Sequence, residues 1–321
     1  MSDAVVPHRE TGGRHASSSG WLKRALESDL FHSFRRSRLT MLAAAVTLSF
    51  LLLAIFAPLL SVQNPFDPAQ LQLANSRFAP LWTADGQSPF LLGTDEQGRD
   101  VLSAILYGLR ISLAVGVLGV LFSGTLGVVL GLIAGYVGGA VDSLIMRIAD
   151  VQLTFPAILI ALLVNGVAKS VFGNRLDATS MLVVLVIAIG LSFWVQYART
   201  VRGSVLVEKN KDYVAAAQLI GLPAPVIMLR HVLPNAMGPV LVIATINLAL
   251  AIITEATLSF LGVGLPDTMP SLGTLIRIGN NYLFSGEWWI VAFPGIALAA
   301  LILSINLLGD WLRDALNPRL R

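Results

Sequence analysis

The chain alternates long apolar stretches with short polar ones, and the first clean stretch, Leu39 to Leu60, holds no charged side chain. Its length matches the roughly 20 residues a helix needs to cross the hydrocarbon of a bilayer. Arg35, Arg36 and Arg38 flank it, as basic residues flank a signal peptide. The apolar run is nonetheless longer than the roughly 7–15 residues of a signal's hydrophobic region, so it reads as a retained anchor. Further spans are predicted at 111–137, 151–169, 179–198, 236–262 and 288–309. Together they predict an all-α integral membrane protein of six transmembrane helices. Within 111–137, Gly127, Gly131 and Gly135 recur at every fourth position. Small residues on one helix face allow backbones to approach closely where lipid supplies no hydrophobic drive, so this stripe is predicted to be a packing surface.

The segments between spans differ in character. Residues 1–38 form a polar N-terminal tail, with 1–20 predicted to be disordered. Residues 21–37 place Trp21, Leu22, Leu26, Leu30 and Phe34 close to one face, which reads as a short surface helix. Span 39–60 is followed by an external loop at 61–100, and residues 101–321 form a core domain with the other five spans. Six crossings put both termini on one side. Sixteen of the 22 Lys and Arg residues fall on that side, so the positive-inside tendency makes both termini cytoplasmic.

Composition narrows the function. The chain is 55% hydrophobic and 13% charged, against about 25% charged in soluble proteins. The net charge of +3 comes without a basic patch interleaved with aromatics, which argues against nucleic acid. There is no cysteine, and the four histidines lack metal-ligand spacing, so no metal site is expected. No Gly-x-x-x-x-Gly-Lys-[Ser/Thr] motif occurs, so the chain has no recognisable ATP site of its own and any energy it uses comes from a partner or a gradient.

The polar stretch Asp212–Asn235 is predicted to lie in the cytoplasm between two spans, and it makes up most of a loop at 199–234. Tyr213 to Ile220 favours helix and carries Ala215, Ala216 and Ala217. Gly221 stands where a helix-ending glycine falls, and Pro223 follows Leu222 where a new helix opens. Two short helices with a sharp bend result. The small alanines let another surface approach the first, and Val226, Ile227 and Leu229 give the second an apolar side. Arg230 and His231 suit either anionic lipid headgroups or an acidic protein surface.

Ala216, Ala217 and Gly221, followed by Leu233 and Pro234, resemble the "EAA" loop of permease subunits of ATP-binding-cassette importers. Ala215 occupies the family's glutamate position, so that carboxylate's contact does not carry over, and Asp212 is not assigned it. A second string ends the external loop: Gly93, Thr94, Asp95, Gly98, Arg99, Asp100 and Ser103. Thr94 with Gln97 fits a capping box, and Asp100 equally fits a helix cap. The whole string resembles the signature of C-type permease subunits of dipeptide, oligopeptide and nickel importers. Ala104 departs from it, where arginine is common. The resemblance continues through Gly138, Gly139, Asp142, Met146, Arg147, Asp150 and Pro156, then Glu255, Leu258, Ser259, Phe260, Leu261 and Gly262. It goes on through Trp288, Trp289, Phe293, Pro294 and Gly295, then Gly309, Asp310, Leu312, Arg313, Asp314, Leu316, Asn317 and Pro318. Leu272 departs, where tryptophan is usual. The match covers roughly residues 20–321.

Polar residues near the spans have two readings each. Arg147 and Asp150, three apart, suit a solvated pair of about 0.2–0.5 kcal/mol or, with Asp142, a docking role. Asn165, Gln196, Asn247 and Asn306 suit interhelical hydrogen bonds. Glu255 falls toward the outer end of its span, where hydration is expected, and no second titratable group is found at its depth for a proton relay. Trp288 and Trp289 suit an aromatic belt. The loop 263–287 suits contact with a binding protein or its cargo, which the resemblance implies.

The resemblance implies a type I (MetI-like) importer permease with cytoplasmic coupling helices, in the inner membrane of a prokaryote. It implies a homologous second permease in a pseudo-symmetric heterodimer, two cytoplasmic ATP-binding subunits that hold ATP and Mg, an external solute-binding protein, and surrounding lipid. Peptides are the implied cargo, with nickel chelates, glutathione or opines as alternatives within the family. Of other classes, a gradient-driven secondary carrier calls for inverted repeats and a charged mid-membrane site, neither of which stands out. An intramembrane hydrolase lacks a nucleophile–base set.

Overall fold

The computed structural model describes residues 34–35, 37–172 and 177–315. The tail at 1–20, almost all of the surface helix at 21–37, Arg175, and Leu316, Asn317 and Pro318 lie outside the described residues. From the second of these segments, Phe34 packs edge-on against Trp311 with centroids 5.2 Å apart.

Ten helices suffice to describe the chain: α1 Arg38–Ile55, α2 Val101–Val137, α3 Gly139–Leu153, α4 Ala157–Phe172, α5 Ala178–Glu208, α6 Asp212–Leu219, α7 Ala224–Ile227, α8 Gly238–Phe260, α9 Leu272–Asn280 and α10 Trp289–Ala315. A π turn at Met228–Val232 and a short helix at Leu233–Ala236 join α7 to α8. No strand is present among the described residues. Five helices (α1, α2, α5, α8 and α10) are each long and apolar enough to cross a membrane, and six spans result if the α3–α4 pair is taken as one.

That pair departs from expectation. The stretch 151–169 reads as one continuous span, yet the chain bends by 95° between α3 and α4. Pro156 lies in the break, and a proline both lacks a donor and disfavours helix at the residue before it. Predicted boundaries also move outward elsewhere. At about 1.5 Å per residue, α2 is about 55 Å long and α5 about 46 Å, against a hydrocarbon core of about 30 Å. Both helices are longer than an upright crossing needs, and their ends carry the polar contacts described below.

The glycine stripe does what its spacing predicts. α2 packs along α5, and a Cβ added at Gly127 or Gly131 would meet the carbonyl oxygen of Trp194 or of Ala198 at 2.4 Å. At Gly135 the obstacle is the Val205 side chain at 2.8 Å. Five apolar clusters occur among the described residues, and three of them are large. One joins Val101, Ile105 and Leu109 to Ile252, Leu272, Trp289 and Leu301. A second centres on Val115, Ala161, Leu185, Ile189 and Leu258. The third joins Leu132, Tyr197, Val201 and Val205 to Val214, Ile227, Val232 and Ala236, and so seats the short helices α6 and α7 on the ends of the long ones.

Residues 263–287, read as an external loop, contain α9. Ser271 caps it by accepting from Thr274 N at 3.3 Å. Leu272, Gly273, Thr274, Leu275, Ile278 and Gly279 are buried, and a Cβ at Gly273 would meet the Ala256 carbonyl oxygen at 2.4 Å. Most of this segment is therefore built into the bundle.

Candidate functional site

The bent unit predicted at Asp212–Asn235 is present. α6 ends in a Schellman arrangement: Leu222 N donates to the Ala217 carbonyl at 3.1 Å and Gly221 N to the Gln218 carbonyl at 3.0 Å. Gly221 takes φ +79°, a conformation costly for any residue with a Cβ. Pro223, extended and exposed, caps α7, and Pro225 lies in its first turn. Asp212 sits exposed in the first turn of α6, where a carboxylate complements the positive end of the helix.

The alanine run splits between two faces. Ala217 is buried against the bundle with Val214, whereas Ala215 and Ala216 are exposed. Only these two present a small surface outward, which corrects the reading of all three as a contact face. In the second arm Ile227 is buried, and Val226 and Leu229 face out. Leu222 and Leu233 pack on the inner cluster, while Pro234 is exposed. At the bend, Leu219 is 89% exposed and Ile220 76%. Two adjacent large apolar side chains are thus left in solvent at the tip of the unit. Arg230 is exposed as well, and His231 is half-buried with its carbonyl turned to Asn235 Nδ2 at 2.8 Å.

Tyr213 faces back toward the bundle. Its hydroxyl donates to Glu208 Oε2 at 2.5 Å and receives Asn235 Nδ2 at 3.2 Å. Partial burial first, and the bond to Glu208 next, push the phenol above its ordinary value, so it stays a donor at physiological pH.

α3 is tied to α5 by pairs that spacing did not reveal. Asp142 accepts both Nε and Nη2 of Arg202, at 2.5 and 2.6 Å. Asp150 pairs with Arg199, and Trp194 Nε1 donates to Gln152 Oε1 at 2.7 Å. Of the two readings of Arg147 and Asp150, the mutual pair does not form, since Asp150 pairs with Arg199. Arg147 is exposed and makes no ion pair among the described residues.

On the opposite side, the Gly93–Ser103 string is a structural knot. Gly93 and Gly98 take φ +82° and +76°, and a Cβ on either would meet a carbonyl oxygen of the loop within 2.4 Å. Arg99 and Asp95 are 1% and 2% exposed, with Nε 2.6 Å from Oδ2. Arg99 Nη1 also reaches the Asp267 carbonyl at 3.0 Å, joining this loop to the segment before α9. Asp100, not Thr94, caps α2, accepting Ser103 N at 2.8 Å and Ser103 Oγ at 2.6 Å. Burial raises the Asp100 carboxyl above its usual range, an effect the two bonds from Ser103 oppose. Thr94 instead receives Phe78 N at 2.8 Å, and its carbonyl takes Trp289 Nε1 at 3.2 Å. Trp289 is thus core, leaving Trp288 alone of the pair at the surface, 45% exposed.

Glu255 overturns the expectation of hydration. It is fully buried, with Oε2 receiving Ser112 Oγ at 2.8 Å and Oε1 receiving Ser259 Oγ at 2.7 Å. Ser271, the cap of α9, also faces it, so the positive end of α9 is directed at the carboxylate. Ser112 Oγ accepts Leu272 N at 3.3 Å, completing a junction of α2, α8 and α9. Of the neutral amides, Asn165 bonds the Val263 carbonyl, while Gln196 and Asn306 are exposed. Asn247 is wholly buried and faces Tyr197, but neither amide atom meets hydrogen-bond geometry with a described residue. No grouping of three or more acidic or histidine side chains suits a metal among the described residues.

The chain's profile matches two families: the binding-protein-dependent transport system inner membrane component over residues 127–321, and the N-terminal TM domain of oligopeptide transport permease C over 28–80. It is 35% identical to a dipeptide transport system permease protein of Haemophilus influenzae, over 90% of this chain and 93% of that one. It is 39% identical to a di/tripeptide transport system permease protein of Pseudomonas aeruginosa, over 84% of each. It is also 35% identical to an oligopeptide transport system permease protein of Bacillus subtilis, over 92% and 91%. In fold it resembles a chain of the MetNI methionine ABC transporter in inward facing conformations. That match has a TM-score of 0.51 and 19% identity, covering 67% of this chain and 96% of the other. A multi-pass all-helical bundle with these relatives along nearly its whole length belongs to the binding-protein-dependent transport system inner membrane component family.

Proposed function

We propose that this chain is the permease subunit of an ATP-driven peptide importer, with the bent unit at 212–235 passing work from a cytoplasmic ATPase to the helix bundle. The observation that carries the reading is the shape of that unit. Its inner side is packed on the bundle through Val214, Ile227 and Val232, while its tip holds Leu219 and Ile220 in solvent. A buried root with an apolar tip suits docking and force transfer, and relatives named for dipeptide and oligopeptide transport support peptide as the cargo.

In this proposal residues 101–321 are the permease core domain, the loop 199–234 couples it to the ATPase, and both termini face the cytoplasm. A second permease completes the pathway, an external binding protein delivers cargo, and two partner ATPases bind ATP and Mg. With no Walker motif here, hydrolysis belongs to those partners. ATPase closure moves the tip. The motion enters α5 and α8 through the inner apolar cluster, and the Asp142–Arg202 pair carries α3 with α5.

Ala216→Glu tests this directly. Ala216 is exposed, so the substitution leaves insertion and folding intact. A carboxylate enclosed in a close helix contact without a partner costs several kcal/mol. Peptide uptake by the assembled transporter in proteoliposomes is therefore expected to fall by more than about tenfold, the equivalent of 1.4 kcal/mol. Gly221→Pro, which fixes φ near −65° in place of +79°, is expected to do the same. Uptake at the native rate in both variants removes this unit from the mechanism.

A further inference from the structure

Between α5 and α6 the helix is interrupted at residues 209–211, which form a turn. If the bent unit transmits force, this interruption is where force is lost. Past Lys209 N, which still donates to the Val205 carbonyl at 2.9 Å, Asn210 N and Lys211 N make only three-residue bonds, at 3.4 and 3.2 Å. Such a turn bends more easily than the helices on either side. The structure places a polar latch across it. Glu208, the last residue of α5, receives Lys211 Nζ at Oε1 (2.6 Å) and the Tyr213 hydroxyl at Oε2 (2.5 Å). Asn235 then donates one Nδ2 bond to Tyr213 Oη (3.2 Å) and another to the His231 carbonyl (2.8 Å). The Tyr213 oxygen also lies 3.4 Å from that carbonyl. One phenol oxygen thus joins the end of α5, the start of α6 and the short helix that leads into α8.

We propose that Tyr213 is a positioning residue for energy coupling. Its hydroxyl locks the 209–211 turn and fastens both stems of the bent unit together, so that displacement of the tip moves α5 and α8 as one. The apolar contacts of Val214 and Ala217 seat α6 on the bundle. They are non-directional and leave its angle to α5 free to change. The hydroxyl network fixes that angle. Its bond to an ionised carboxylate is of the shorter and stronger class. This inference rests on the proposed ATP-driven function and adds a residue that acts away from the docking tip.

The test is Tyr213→Phe, which removes one oxygen and keeps the ring, measured in the complete transporter reconstituted in liposomes with ATP and a radiolabelled dipeptide. The readout is peptide moved per ATP hydrolysed. Loss of folded complex lowers both rates together and leaves the ratio untouched. The ratio is expected to fall by about fivefold, the factor carried by one ordinary hydrogen bond. Asn235→Ala is expected to lower it as well, and the losses in the double variant to be less than multiplicative, because the two residues share one bond while Asn235 also holds the His231 carbonyl. Amide exchange at residues 210–214 is expected to quicken in Tyr213→Phe. An unchanged ratio in Tyr213→Phe, or independent and multiplying losses in the double variant, overturns the latch. Absence of ATP-dependent uptake in the unaltered transporter instead overturns the parent reading, so the two failures are distinguishable.

Discussion

Replacement of Arg99 by leucine is expected to lower the stability of the purified subunit by about 3–5 kcal/mol, the cost of leaving one member of a buried pair without its partner. Arg99 and Asp95 are both almost wholly enclosed, at 1% and 2% exposure. In the variant, Asp95 keeps only the backbone donors of Gln97 and residue 99, each at 2.9 Å, and loses its counter-charge at 2.6 Å. The Asp267 carbonyl also loses its donor, so the segment before α9 is released together with the loop. Thermal denaturation of detergent-solubilised protein, alongside limited proteolysis of the 61–100 loop, reads both effects. The companion is Arg99→Leu with Asp95→Leu, which removes the orphaned charge and is expected to recover most of the loss, since apolar replacement of a whole buried pair is often neutral. The Arg199–Asp150 pair sets the contrast. Its side chains are 47% and 60% exposed, so Arg199→Leu is expected to cost no more than about 1 kcal/mol. A loss below about 1 kcal/mol in the Arg99 variant would mean the knot is held by its glycines and backbone bonds instead.

What could be read from the sequence follows from the range of each interaction. Hydropathy and the four-residue glycine period are local, so most spans and the packing face of α2 were legible, though not that α5 is what packs on it. The bend at Gly221 was legible for the same reason, because a helix-stopping glycine followed by a proline is a short-range signal. Pro156 was an equally local signal, but the apolar residues on both sides of it outweighed it and hid the 95° break. α9 was hidden otherwise. It is short, and its buried residues, Leu272, Leu275 and Ile278, recur at helical spacing behind a serine cap inside a segment rich in proline and glycine. Glu255 shows the limit most plainly. Its depth along α8 suggested water, yet its environment is made by Ser112, 143 residues earlier, and by the cap of α9. Asp142 and Arg202, 60 residues apart, meet only because α3 folds back along α5. For the alanines, composition said that the surface was small, but only the helical phase separates Ala217, facing in, from Ala215 and Ala216, facing out.

The same phase argument yields a prediction that needs no more than one methyl group. Gly131→Ala is expected to destabilise the bundle by about 1–3 kcal/mol, the range for overpacking a filled core, whereas Gly166→Ala is expected to be neutral or stabilising by up to about 1 kcal/mol. Both glycines lie in the interior of helices, and alanine is the better helix former at either site. They differ in what the methyl meets. At Gly131 it would lie 2.4 Å from the Ala198 carbonyl oxygen and 2.9 Å from the Ala198 Cα, both backbone atoms that no rotamer change can move aside. At Gly166 nothing stands within 4 Å. Relief at Gly131 therefore requires α2 and α5 to separate. Because Asp142 and Arg202 bridge α3 to α5 just beyond this contact, and Lys209 Nζ reaches the Gly135 carbonyl at 2.8 Å, separation also strains the polar ties that hold these ends of the two helices. The unfolding midpoint in detergent separates the two variants, and transport should fall with it in Gly131→Ala alone. Equal midpoints for the two would mean that α2 and α5 slide freely enough to admit a methyl. The glycine stripe would then be a compositional accident, not the seam along which the bundle is assembled.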